Sequence, residues 1–297
     1  MSAIHGHYVP KGYLKLFTTD GKYVGCYNKD SKMISNPNIA NVCKIHGLYG
    51  TLDNNSNDIE NGYFANSFEP YFYEMINRIS EIKGYWLQKS WRVGIMEEDK
   101  ASIALCLAIQ YLRHPSIQNF VSDMTKQTFP KLINVMKSLV ANIEADEKYK
   151  KLDISVKIDK ALLHCSQTFG NEALLDTFVK DLSNNFYWEF LYDSGRSFVT
   201  SDCPVSIECF DETAKIQNLG LNMKSSRIIF PLTPELLLLL SEKAQFPASI
   251  NFDKEFRIAS DDEINHFNWV EYKNANRFIF GLNIESAIRN IQEVEYI

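Results

Sequence analysis

The hydrophobic pattern of this chain changes its period near Asn185, and that change constrains the fold class before any single residue is weighed. Upstream, apolar residues recur at three- and four-residue steps, the spacing of one helix face. Downstream they alternate with polar residues or run continuously over short stretches, as strands do. The clearest helix covers 97–114. Ala101, Ala104, Leu105, Ala108, Ile109 and Leu112 form one stripe, Glu97, Glu98 and Asp99 sit in the first turn where the helix dipole favours acids, and Pro115 stops it. A helix over 59–83 carries Phe64, Phe68, Phe72, Met75, Ile76 and Ile79, with Pro70 kinking or restarting it for want of an amide. Further helices are predicted over 116–144, 155–168 and 172–183.

After the change of period, strands at 186–192 and 197–201 flank the turn composition Asp193-Ser194-Gly195-Arg196, as hairpin arms would. Strands at 205–209, 227–230 and 236–241 follow. Next come a helix at 261–276 capped by Ser260, a strand at 277–282 and a short final helix. The N-terminal part reads as extended at 13–17, 22–28 and 32–35 around turns at Asp20-Gly21 and Asn28-Lys29-Asp30; 36–58 is a connecting loop with a short ordered piece at 42–49. The sum is an α+β chain in which strand-rich N- and C-terminal parts form an antiparallel sheet around a central all-helical block. One composite domain over 1–297 is expected, with sub-regions 1–58, 59–184 and 185–297.

Composition narrows the class of function. The chain has 31 Lys+Arg against 37 Asp+Glu and is 45% hydrophobic, the make-up of an ordinary folded protein without a dominant basic surface. The longest apolar run, Leu236 to Leu240, is far below the roughly 18 residues of a membrane span. The first ten residues lack the pattern of a secretory signal, so a cytoplasmic, membrane-free protein is expected. Six scattered cysteines are expected to be free thiols.

Three ordered motifs carry a resemblance. His7-Tyr8-Val9-Pro10 with Tyr13-Leu14 and Phe17, Gln110-Tyr111-Leu112-Arg113 before Pro115, and Phe198 to Val205 containing Thr200-Ser201-Asp202-Cys203-Pro204 together resemble the bacterial family called domain of unknown function 4238, as does Pro231-Leu232-Thr233-Pro234. Two positions depart from it: Gly6 stands where the first of two adjacent histidines is usual, and Cys203 replaces an asparagine. The resemblance implies a context in prokaryotic conflict or phage defence and names no substrate.

Four residues in these motifs are candidates for a site. Asp202, at the end of an apolar strand, delivers a carboxylate to a sheet rim, or else makes a turn with Ser201 by accepting backbone amides. Gln110 and Arg113, three apart on one helix face, could grip a phosphate or carboxylate; alternatively Arg113 pairs with Asp202 or Glu69. His7 is a general acid or base near neutral pH, or a packed hydrogen-bonding residue. A hard cation such as Mg²⁺ would find oxygens on Asp202 with Glu60 or Glu69. The crowding of Cys26, Cys43, His46, His5 and His7 is a weaker pattern for zinc, lacking a second close pair. Glu271-Tyr272-Lys273 has the Glu-x-Lys spacing of many nucleases.

Two functions follow. One is a nuclease- or hydrolase-like effector acting on nucleic acid or a nucleotide through His7, Gln110, Arg113 and Asp202, with a protein partner from the same operon. The other is a non-catalytic binding or sensor module in which these residues form an internal network and an aromatic surface from Phe64, Tyr71, Phe72 and Trp86 meets the partner.

Overall fold

The computed structural model describes residues 5–50, 58–89, 93–154, 157–211, 220–221 and 224–295. It is α+β, with the helical block in the middle of the chain. The chain opens with β1 (His5–His7) and α1 (Lys11–Leu16), followed by the hairpin β2 (Gly25–Asn28) and β3 (Met33–Ser35) and by β4 (Lys44–His46), which pairs with β1. Residues 13–17, expected to be extended, lie almost wholly in α1. Tyr13, Leu14 and Phe17 are spaced for one helix face and all three are fully buried.

A π-type run at Asp58–Phe68 continues without a break into α2 (Glu69–Lys89), and Pro70, which has no amide to donate, sits immediately after the change from π-type to α-helical pattern. Next are α3 (Glu97–Leu112), α4 (Pro115–Ile143), α5 (Lys160–Gln167) and α6 (Glu172–Asn185). The expected start of α5 at 155–156 lies outside the described residues.

The C-terminal part adds β5 (Phe186–Tyr192), β6 (Thr200–Ser201), β7 (Ser206–Cys209), β8 (Ser226–Thr233), β9 (Leu236–Glu242), β10 (Glu255–Ile258), α7 (Asp261–Asn274), β11 (Phe278–Gly281) and α8 (Ile284–Glu295). Five strands form one sheet in the order β10-β5-β9-β8-β7, and four form another in the order β3-β2-β11-β6. Two expectations change here. The first sheet is mixed, because β10 runs parallel to β5. The turn after β5 does not close a hairpin either: β5 pairs with β9, and the chain crosses to the second sheet at β6. That second sheet joins N-terminal β2 and β3 to C-terminal β11.

The main core draws on every region, from Tyr8 and Tyr13 through Phe72 and Leu107 to Trp188, Phe230 and Phe280. Phe64 and Phe72, expected on a partner-facing surface, are fully buried in it. No helix among the described residues is long and apolar enough to cross a membrane.

Candidate functional site

The end of α3 meets the first strand through its main chain. The Gln110 side chain donates to the Tyr8 carbonyl at 3.2 Å and the Arg113 guanidinium donates to the His7 carbonyl, so two residues three apart on a helix hold two successive carbonyls. Arg113 is fully buried, with its guanidinium carbon 4.0 Å from the Phe64 ring centre and Nη1 3.4 Å from Glu69 Oε1. Of the two acids considered for it, Glu69 is the one in contact. The His7 amide donates to Glu60 Oε1 at 3.1 Å, and the His7 ring lies 3.6 Å from the same oxygen. Within this cluster His7 Nε2, Glu60 Oε2, Gln110 Oε1 and Arg113 Nε are buried and have no protein hydrogen-bond partner.

Asp202 belongs to a different network. Its Oδ1 accepts from the Asn276 amide and its Oδ2 from the Arg277 amide, each at 2.9 Å, which ties the end of β6 to the connection between α7 and β11. Ser201 Oγ accepts from the Cys203 amide at 3.0 Å and donates to Glu271 at 2.7 Å; Ser206 donates to the other oxygen of Glu271. Burial pushes Asp202 up to about 6 against the pull of its amide donors, and pushes the fully buried Glu271 up to about 8 despite its two serine donors. Glu271, expected as half of a Glu-x-Lys pair, is therefore enclosed by hydroxyls.

A cavity of about 210 Å³ opens between these networks, lined by Gln110, Tyr111, His114, Ser116, Cys203 and Val205 among others. His114 caps α4: its Nδ1 accepts from the Ser116 amide at 3.2 Å. The proton of the neutral ring accordingly sits on Nε2, which lies 3.0 Å from Cys203 Sγ. Burial lowers His114 to about 4 and raises the Cys203 thiol, a rise that the nearby Asp202 carboxylate adds to; both groups are uncharged at neutral pH. None of the residues lining the cavity carries a charge.

Thus the fold gathers His7, Gln110 and Arg113 around main-chain carbonyls, whereas the Asp202 carboxylate is held by amides of its own. The oxygen set suggested for Mg²⁺ is divided between the two networks. Among the described residues no group of three or more His, Cys, Asp or Glu side chains is arranged to hold a metal ion; His5 and His46 meet edge to face on paired strands. The sequence points to Glu60 and Glu69 only as oxygens for a cation or, for Glu69, as a partner of Arg113, and it marks neither His114 nor Cys203 as a site residue. The only signal for His114 was its place between the Gln-x-x-Arg motif and Pro115, and for Cys203 its departure from the family pattern.

Fold and site together define an α+β protein whose sequence motifs brace distant segments beside a small uncharged cavity. The chain matches the family described as Protein of unknown function (DUF4238) over residues 6–284, and it belongs to that family. No curated protein and no solved structure matches it. Membership carries no activity with it, so the nuclease-like and defence-associated roles expected from sequence gain nothing from the match.

Proposed function

We propose that this protein is a non-catalytic binding module that takes a small uncharged ligand in the cavity beside Gln110, His114 and Cys203. The observation that carries the reading is the engagement of its two most conspicuous charges. Both Asp202 oxygens accept main-chain amides, and Arg113 is sealed between Phe64, Glu69 and the His7 carbonyl. A hydrolytic carboxylate has to reach water or a cation, and Asp202 is fully buried. Nor does the neighbouring thiol have a base, since His114 Nε2 already carries its proton and faces the sulfur.

The ligand class follows from the walls. Gln110, Ser116 and Asn274 supply amide and hydroxyl groups to its lining, the walls near Tyr111 and Val205 are apolar, and no cation lines the cavity to meet a phosphate. Its volume of about 210 Å³ is below the roughly 300–1,000 Å³ of drug-sized pockets. A nucleobase or a primary carboxamide, each with an N–H donor on a compact body, satisfies these conditions; a nucleotide does not.

Titration calorimetry and thermal shift with adenine, cytosine, nicotinamide and adenosine 5′-monophosphate test the reading. Saturable binding of an uncharged probe, lost in Ser116→Trp at the cavity mouth, is the expected result. Two results overturn it: no saturable binding by any uncharged probe, or cleavage of RNA, DNA or nucleotide with Mg²⁺ or Mn²⁺ that disappears in an Asp202→Asn variant of unchanged melting temperature.

A further inference from the structure

Along most of its length the helix α4 exposes a row of apolar side chains. Seven-residue steps along one face run Gln118, Thr125, Leu132, Leu139 and Ser122, Phe129, Met136, Ile143. At the start of this face Gln118 and Ser122 are buried, and Gln118 donates to the Leu48 carbonyl at 2.9 Å. The next turns carry Phe129, Leu132, Met136, Leu139 and Ile143, which are 39% to 78% exposed. Their steps of three, four, three and four residues are those of a coiled-coil seam. Val135 and Val140 flank it and are also exposed. From Met124 to Ile143 the helix has no acidic residue.

We infer that this face of α4 is the interface with a second copy of the chain, the two helices packing antiparallel. α4 is anchored to the core through its first turns, where Ile117 packs on the core and Gln118 and Ser122 are buried, so an antiparallel partner places its own anchored end at the opposite end of the seam. In that register Phe129 faces Leu139 and Leu132 faces Met136 of the other copy. Seven half-exposed side chains of this size offer on the order of 700 Å² per copy, close to the ~800 Å² each partner contributes to a standard stable interface. Left uncovered, a patch this large exceeds what a monomer ordinarily presents to water.

Sedimentation velocity and light scattering on the full chain read the outcome. A mass of two 34.2 kDa chains is expected, falling to one in the double variant Leu132→Glu/Leu139→Glu, whose positions are exposed and whose circular dichroism should not change. Lys131→Glu/Lys137→Glu, off the seam, should remain dimeric. Three results overturn the inference: a monomer at every concentration up to about 100 μM, a dimer indifferent to the leucine substitutions, or a monomer that instead binds anionic phosphatidylserine vesicles through the same leucines.

Discussion

Glu271 is the residue whose environment has the largest consequence for the protein's response to pH. A carboxyl raised to about 8 in the folded chain and near its usual value in the unfolded one binds more protons when folded, so its contribution to stability falls as pH rises through that window. Asp202, raised to about 6, acts in the same direction at lower pH. His114 and His164 oppose them, since both are lowered to about 4 and cost stability as pH falls below their ordinary value near 6.5. Between pH 8 and 7 Glu271 dominates, and nearer 6.5 the two histidines, half protonated in the unfolded chain, cancel its slope. At about 1.4 kcal/mol per pH unit the chain should gain roughly 1 kcal/mol on going from pH 8 to 6.5, most of it above pH 7, and then level off. Urea midpoints across that range check this, and Glu271→Gln should flatten the curve; an unchanged slope in the variant refutes the assignment. The sequence made Gln110, Arg113 and Asp202 visible as motif residues. It could not say what they hold, because their partners are main-chain groups at His7, Tyr8, Asn276 and Arg277, and a carbonyl or amide leaves no trace in residue identity. His114 was hidden for a related reason: it works as a helix cap, a role usually filled by Ser, Thr, Asp or Asn.

Periodicity and caps were enough at the scale of elements wherever one face is buried and one is not. The helix α7 begins at the Ser260 cap, with Glu263 reaching back to the Ser260 amide, and β9 is the continuous apolar run expected of a strand covered on both faces. The strand β10 escaped notice because it has four residues and two of them are charged. Arg257 is compatible with a sheet only because Glu189 and Glu263 bind it from β5 and α7. Close approach of strands is equally invisible in sequence. Gly25 on β2 faces Gly281 on β11, and a Cβ added to Gly25 would lie 2.5 Å from the Gly281 carbonyl oxygen and 3.1 Å from Ile284 Cγ2. Gly25→Ala should therefore destabilise the chain by about 1–3 kcal/mol through overpacking. Gly84, within α2 and with open space around its Cβ position, should respond in the opposite sense, Gly84→Ala adding roughly 0.5–1 kcal/mol from helix propensity. Denaturant titrations of the two variants separate packing from propensity, and equal effects would contradict the close approach of β2 and β11.

For the whole molecule, the question is whether the helical block can hold its shape without the sheets. Its contacts with them are internal ones. Phe72 of α2 stacks on Phe230 of β8 with ring centres 6.1 Å apart, Trp188 of β5 donates its indole N–H to the Leu182 carbonyl of α6 at 3.0 Å, and Arg113 holds the N-terminal strand. The N-terminal segment reaches further still, because Tyr13 hydrogen-bonds Thr200 at 2.7 Å and the Pro231 carbonyl, 187 and 218 positions along the chain. A block separated from these partners would expose Phe72 and leave the Arg113 charge buried against Glu69 with its carbonyl partner gone, a loss of about 1.5–3 kcal/mol for a hydrogen bond to a charged group. We therefore expect 1–297 to unfold as one cooperative unit. Far-ultraviolet circular dichroism, dominated by the helices, and tryptophan fluorescence, to which the buried Trp188 contributes from the sheet, should give superimposable urea transitions. If the fluorescence change were complete while helical signal persisted, the block would be a domain in its own right, and the motifs at His7, Arg113 and Asp202 would be an interface between domains instead of the brace of one.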